Sequence, residues 1–248
     1  WSYAEQVIEA TRAISHVTEP TVDRFMAELP SFIWYNELPV GSSSPFAQWC
    51  VFRLAKEHGV TVLLDGQGAD ESLGGYEQYF ARYVEALRER GDTSRLAREL
   101  PMIRERYPLA LTPPARGLRD RLPFRVRHWL SNRFGIGTNL LYGLRPEVAA
   151  RVATENRLAR KQGLDPLANA LEQDSFGRFL TTLLRYGDRN SMAHSREVRL
   201  PFCDHRIAEF VFSLPPHLLM GEVQTKRLLR ESMKGILPEG IRTRWNKQ

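Results

Sequence analysis

The residues best suited to chemistry in this chain lie between positions 62 and 76, which read Val62-Leu63-Leu64-Asp65-Gly66-Gln67-Gly68-Ala69-Asp70-Glu71-Ser72-Leu73-Gly74-Gly75-Tyr76. The apolar run 60–64 is too short for a helix and reads as a buried strand. It stops at Gly66 and Gly68, a spacing that suits a tight turn where backbone approaches a ligand closely. The adjacent carboxylates Asp70 and Glu71 follow, then a second glycine pair and Tyr76. An acidic, glycine-rich loop at the carboxyl end of a strand is where open α/β sheets place nucleotide and metal chemistry. The same residues would also make a plain strand-to-helix turn with Asp70 capping the next helix.

Two further segments carry polar groups in unusual density. Residues 185–206 alternate charged and apolar side chains too finely for a simple solvent face. Buried charges must be paired, so the pattern predicts a network among Arg196, Glu197, Arg199 and Asp204. His194, His205 and His217 lack a helical i, i+4 ligand pair with an adjacent carboxylate, which argues against zinc. Lys226 falls in the first turn of a helix that Thr225 would cap, running to about position 235. A cation there opposes the helix dipole at a cost of a few tenths of a kcal/mol. Free N–H groups and an ammonium converging at one point also make an anion site, able to neutralise charge on phosphate or carboxylate oxygens. A plain surface lysine near a fraying helix end is the alternative.

The elements that must hold these groups follow from periodicity and turn residues. Residues 2–14 form an amphipathic helix, 15–18 a short strand and 21–29 a second helix. A loop over 36–45 leads into a helix from 45 to about 58 and on into the strand 60–64, a parallel, crossover rhythm. A helix begins near Ser72 and runs to Arg90. Residues 91–165 lose the rhythm to prolines and glycines and read as an arginine-rich helical insertion. After Pro166 a buried helical period returns. Asp204 caps a helix that ends before Pro215-Pro216.

The chain has 248 residues, 42% hydrophobic and 26% charged, an ordinary composition with enough apolar side chains for a sizeable core. No apolar stretch approaches the ~20 residues that span a bilayer. Cys50 and Cys203 stand alone, without metal spacing, and read as reduced, buried thiols of a cytoplasmic protein. The net charge of +6 is concentrated in residues 88–133, where twelve arginines and no lysine face five acids. Such a stretch is either a solvated helical face or a surface for phosphates or nucleic acid.

Taken together, the dense segments resemble the glutamine-dependent asparagine synthetase family. Residues 63–71 with Gly74-Gly75-Tyr76 are similar to its SGEGADE…GGY loop. Asn190-Ser191-Met192-Ala193-His194 and residues 197–206 are similar to its SMAxxxEvRvPFLDhr segment. Thr225-Lys226-Arg227-Leu228-Leu229-Arg230-Glu231 resembles its tKxxLRea helix, and Leu237-Pro238 with Arg244-Trp245-Asn246-Lys247 its ending. The likeness covers roughly residues 1–85 and 170–248.

The resemblance implies an α/β fold of the adenine-nucleotide α-hydrolase (ATP pyrophosphatase) type, with a small parallel sheet, predominantly helical here, and residues 1–248 as part of that synthetase domain. It implies ATP and Mg²⁺, an acyl-adenylate, and ammonia supplied from glutamine by a glutaminase domain of the same parent chain. Asp65, Gly66, Gly68, Glu71 and Tyr76 would lie along the nucleotide, Asp70 would hold the metal, and Lys226 would contact phosphate oxygens. Gln67 would meet the acceptor, and Arg199 would organise the site from behind. Two departures from the pattern stand out: Asp65 replaces the loop serine and Gln67 its glutamate. A neutral Gln cannot act as a base and pairs less strongly with an ammonium. The acceptor is therefore expected to be a carboxylate other than free aspartate, a small molecule or a glycan sugar acid. The family's serine-rich pyrophosphate loop does not occur in these residues, so this chain by itself is expected to be inactive. An exposed sheet edge invites a homodimer, and neither membrane nor nucleic acid is expected as a partner. The other readings are a relative that closes an amide within its own substrate, as β-lactam synthetases and lasso-peptide cyclases do, and a non-catalytic anion-binding protein.

Overall fold

The strand beneath the acidic loop finds its partner far along the chain. In the computed structural model, which describes residues 1–111, 126, 145, 147–148 and 163–245, Val62–Leu64 (β1) runs parallel to Glu197–Arg199 (β2). Leu63 sits opposite Val198. Parallel strands need a long crossover, and the intervening helices supply it. The described residues are mostly helical, with this two-stranded parallel sheet. No helix among them is long and apolar enough to cross a membrane.

In chain order the helices are α1 (Ser2–Thr11), α2 (Val22–Asn36), α3 (Ser44–Glu57), α4 (Ala69–Leu73), α5 (Tyr79–Glu89) and α6 (Thr93–Arg106). They continue as α7 (Pro166–Phe176), α8 (Arg178–Ala193), α9 (His205–Ser213), α10 (Pro216–Leu219), α11 (Arg227–Ser232) and α12 (Glu239–Arg242). Local signals start several of them. Asp165 accepts from the N–H groups of Leu167 and Ala168, with Pro166 at the first helical position. Asp204 accepts from Arg206 N at 2.9 Å, as its sequence position predicts. Each such cap contributes about 1 kcal/mol.

The main core joins α4, α5, α6 and α7 to the segment after α9. Phe80, Ile103, Leu167, Met220 and Val223 have no exposed surface there. A second cluster packs Phe32, Phe46, Trp49 and Cys50 between α2 and α3. Its rings meet edge to face, with Phe32 centred 5.5 Å from Phe46 and 5.7 Å from Trp49.

Several expectations are corrected. Residues 15–18 form no strand, since no strand among the described residues pairs with them. Helix α2 continues past Leu29 through Pro30 to Asn36, because Phe32 and Asn36 are buried there and packing outweighs the proline. The helix expected over 72–90 breaks at Gly74, whose φ of 71° ends α4. The period after Pro166 breaks at Gly177 into α7 and α8. The strand expected to be buried is open: Leu64 is 75% exposed, on a sheet two strands wide among the described residues. Cys50 is buried as expected, but Cys203 is exposed. Of the arginine-rich stretch, α6 is described and puts Glu99 and Ile103 into the core. Most of residues 112–162 lies outside the described residues.

Candidate active site

The loop is built from the sheet outward. Asp65 N donates to Arg199 O at 2.9 Å, extending the β1–β2 ladder by one residue. Gly66 is exposed and Gln67 half-buried. Gly68 then turns the chain at φ 92°, in the left-handed region where a side chain is strained, and opens α4. A Cβ at Gly68 would stand 2.7 Å from Cys203 Sγ, and that thiol lies 3.5 Å from Gln67 O. The second dense segment thus packs directly beneath the first.

Short as it is, α4 sorts its two carboxylates onto opposite sides. Glu71 is 1% exposed and accepts a 2.5 Å hydrogen bond from the Tyr76 hydroxyl. Burial, reinforced by that carboxylate, pushes the Tyr76 phenol pKa well up. With almost no surface, Glu71 braces the helix from within, and Tyr76 is its brace. Asp70 points the other way and stands 2.8 Å from Lys226 Nζ, each side chain about a quarter exposed. The two come from distant motifs and meet because Lys226 N donates to Gly74 O at 3.2 Å. Gly75 makes room for both: a Cβ there would lie 1.8 Å from Asp70 Oδ1 and 2.5 Å from Lys226 Cε.

Lys226 itself departs from expectation. It occupies the cap position of α11 with left-handed backbone at φ 50°. Thr225 does not cap the helix; it is buried, and its carbonyl accepts from Arg230 Nε at 2.7 Å.

Asp65 is held by Gln48, a residue that no motif announced. Gln48 Nε2 lies 3.4 Å from Asp65 Oδ2. Gln48 Oε1 accepts from Asn190 Nδ2 at 3.1 Å, and Asn190 Oδ1 accepts from Asn36 Nδ2 at 3.0 Å. Asn190 has no exposed surface and also donates to Pro45 O at 2.9 Å. This chain of amides joins α2, α3 and α8 and ends on the loop carboxylate.

The ionic network expected over 196–204 does not form as a buried unit. Arg199 pairs with Glu197 at 2.6 Å with both side chains more than half exposed. Asp204 pairs with Arg206, which holds its carboxyl below the usual range. Arg196 instead donates to the carbonyls of Val60 and His194. Glu197 and Arg199 share one face of the strand and that face is open to water, so these charges need no burial. Arg199 touches the loop through its backbone carbonyl and not through its guanidinium. His194 packs its ring 4.3 Å from Trp49, and burial lowers its pKa.

Among the described residues no three His, Cys, Asp or Glu side chains converge as a metal cage. Asp70 is a single carboxylate beside a lysine. That donor set fits Mg²⁺ in its usual manner, with one or two protein carboxylates completed by water and phosphate oxygens.

Known proteins match this chain throughout. The family model for asparagine synthase matches residues 1–248. A Mycobacterium tuberculosis protein named for glutamine-hydrolysing asparagine synthetase is 30% identical over 225 residues, covering 89% of this chain and 34% of that protein. Asparagine synthetase 1 of Bacillus subtilis is 27% identical over 234 residues, 93% of this chain and 36% of its own. An amidase of Penicillium rubens is 22% identical over 251 residues, 92% of this chain and 36% of its own. The chain thus spans about a third of the length of the curated relatives it matches. No solved structure matches it. With residues 1–248 matched by the family model, this chain belongs to the asparagine synthase family.

Proposed function

We propose that these residues form the synthetase part of an ATP-dependent, amide-forming ligase. A carboxylate oxygen of the acceptor attacks the α-phosphorus of ATP, the bond to the β-phosphate bridge breaks, and pyrophosphate leaves. Ammonia, released from glutamine by another domain of the parent protein, attacks the acyl carbon and loses a proton. AMP departs with the former carboxylate oxygen. The observation that supports this reading is the meeting of Asp70 and Lys226 at 2.8 Å over a glycine that leaves no room for a side chain.

Each residue has a part in it. Lys226 places a cation against the phosphate oxygens as charge develops, the main protein contribution to phosphate-displacing steps. Asp70 would hold Mg²⁺, which neutralises the departing pyrophosphate. Asp65, Gly66 and Gly68 form the wall along the nucleotide, with Asp65 held by Gln48. Glu71 and Tyr76 fix the helix that carries Asp70.

Gln67 sets the acceptor. It is half-buried beside the Cys203 thiol, and its neutral amide cannot balance the ammonium of an amino acid. The reading is therefore a carboxylate without an adjacent ammonium, such as the uronic acid of a glycan. Pyrophosphate exchange into ATP by the parent protein tests it with aspartate, glucuronate and galacturonate in parallel. Exchange driven by a uronic acid and not by aspartate is the expected result, and Gln67→Glu should shift preference toward aspartate. Efficient exchange with aspartate alone would sink the acceptor assignment.

A further inference from the structure

We infer that Glu99 is a positioning residue for Lys226, holding the strained segment that carries the lysine to Asp70. The inference rests on the reading that Lys226 serves the phosphate-displacing step. Among the described residues, six other than glycine have positive φ, and three of them fall within five positions: Glu222 at 52°, Val223 at 60° and Lys226 at 50°. A β-branched residue in this region is a conformational outlier, and Val223 is also fully buried. Such backbone persists only where its surroundings over-determine it.

The fixings can be named. Glu99, on α6, is 2% exposed, and its Oε2 accepts from Glu222 N at 2.9 Å and from the Tyr83 hydroxyl at 2.8 Å. Its Oε1 faces Arg98 at 3.3 Å and Arg95 at 3.9 Å, so the carboxylate is balanced by charge as well as by hydrogen bonds. At the other end Lys226 N is fixed to Gly74 O at 3.2 Å. Around the first anchor, Gly221 and Gln224 bond to each other in both directions, at 3.2 and 2.9 Å. A buried acceptor removed at Glu99 leaves a backbone N–H and a hydroxyl without their partner. The positive-φ residues would then relax, and the lysine would move away from Asp70. A shift of about 1 Å in a group that meets the reacting atoms is enough to cost roughly 100-fold in rate.

The test is a double-mutant cycle on pyrophosphate exchange in the parent protein, run below the unfolding transition of every variant. Glu99→Ala should slow exchange at least tenfold. Glu99→Gln should be slowed less than Glu99→Ala, because its carbonyl can accept both hydrogen bonds although its NH2 then faces Arg98. Where Glu99→Ala fails to fold, Glu99→Asp keeps the charge but loses the reach and should be slowed in the same way. On a Lys226→Ala background the Glu99 substitution should change the residual rate less than twofold. Equal slowing with and without Lys226, or a wild-type rate for Glu99→Asp, would overturn the inference. If Lys226→Ala alone left the rate unchanged, the role given to Lys226 would fail first and the inference with it.

Discussion

Gly75→Ala separates the site from the fold. The added Cβ would stand 1.8 Å from Asp70 Oδ1, 2.7 Å from Asp70 Cγ and 2.5 Å from Lys226 Cε. Bringing the first of these out to the 3.0 Å that real Cβ atoms respect moves the carboxylate by about 1.2 Å. The obstructing atoms are the ends of flexible side chains, 25% and 27% exposed, so they can rotate into water without moving backbone. Losing a partly exposed ion pair costs at most about 1 kcal/mol. Gly75 is not in the left-handed region, so alanine fits its backbone and returns roughly 0.4–1 kcal/mol through the unfolded chain. Stability should hardly change, which for a chain of this size means a melting shift within about 4 °C. Rate should collapse, since a displacement near 1 Å costs about 100-fold and removing one preorganised charge contact about 10²–10³. Pyrophosphate exchange and a melting curve on the same preparation of parent protein measure both. Exchange within threefold of wild type in a folded Gly75→Ala protein would refute the reasoning.

Two other outcomes follow from the same packing. Gly68→Ala combines a left-handed backbone at φ 92° with a contact 2.7 Å from Cys203 Sγ. It should lower the unfolding free energy by more than about 1–2 kcal/mol. Adding Cys203→Ala should recover the steric share and leave the backbone share, and a neutral Gly68→Ala would contradict this. The second outcome is an alkaline loss of stability. Tyr76, Tyr79 and Tyr83 each donate to a carboxylate, Glu71, Asp174 and Glu99 in turn. Burial and those carboxylates push all three phenol pKa values up. Burial raises the Cys50 thiol in the same direction. Raised folded-state values mean that the unfolded chain sheds its protons first. The stabilisation is therefore full below the ordinary thiol and phenol pKa values, about 8.5 and 10, and is lost as pH rises through and above them. Urea midpoints should be level from pH 7 to 8 and fall steeply between pH 10 and 11.5; a flat profile to pH 11.5 would contradict the assignment.

What the sequence disclosed was what short-range chemistry encodes. The acidic loop, the Asp204 cap and α3 were legible because glycine, proline and capping residues act on their immediate neighbours. The convergence of Asp70 with Lys226 was legible only through the resemblance, since nothing local links two residues so far apart. Gln48 carried no signal at all: its amide matters because α3 sets it between Asn190 and Asp65. Glu99 was hidden among arginines whose pattern reads equally well as a solvated face, although it is 2% exposed. The break at Gly74-Gly75 was missed because apolar periodicity runs across it, while the φ of Gly74 decides the matter. Burial of the strand was overestimated because an apolar run does not report how many strands flank it.

Transfer of oxygen is the most direct test of amide formation through an adenylate at the Asp70–Lys226 site. The carboxylate that drives pyrophosphate exchange is labelled with ¹⁸O in its carboxyl group and turned over by the parent protein with ATP, Mg²⁺ and glutamine. The expected result is one labelled oxygen in each AMP, none in pyrophosphate, and no labelled AMP from the Lys226→Ala variant. Unlabelled AMP, or label appearing in orthophosphate beside ADP, would contradict it.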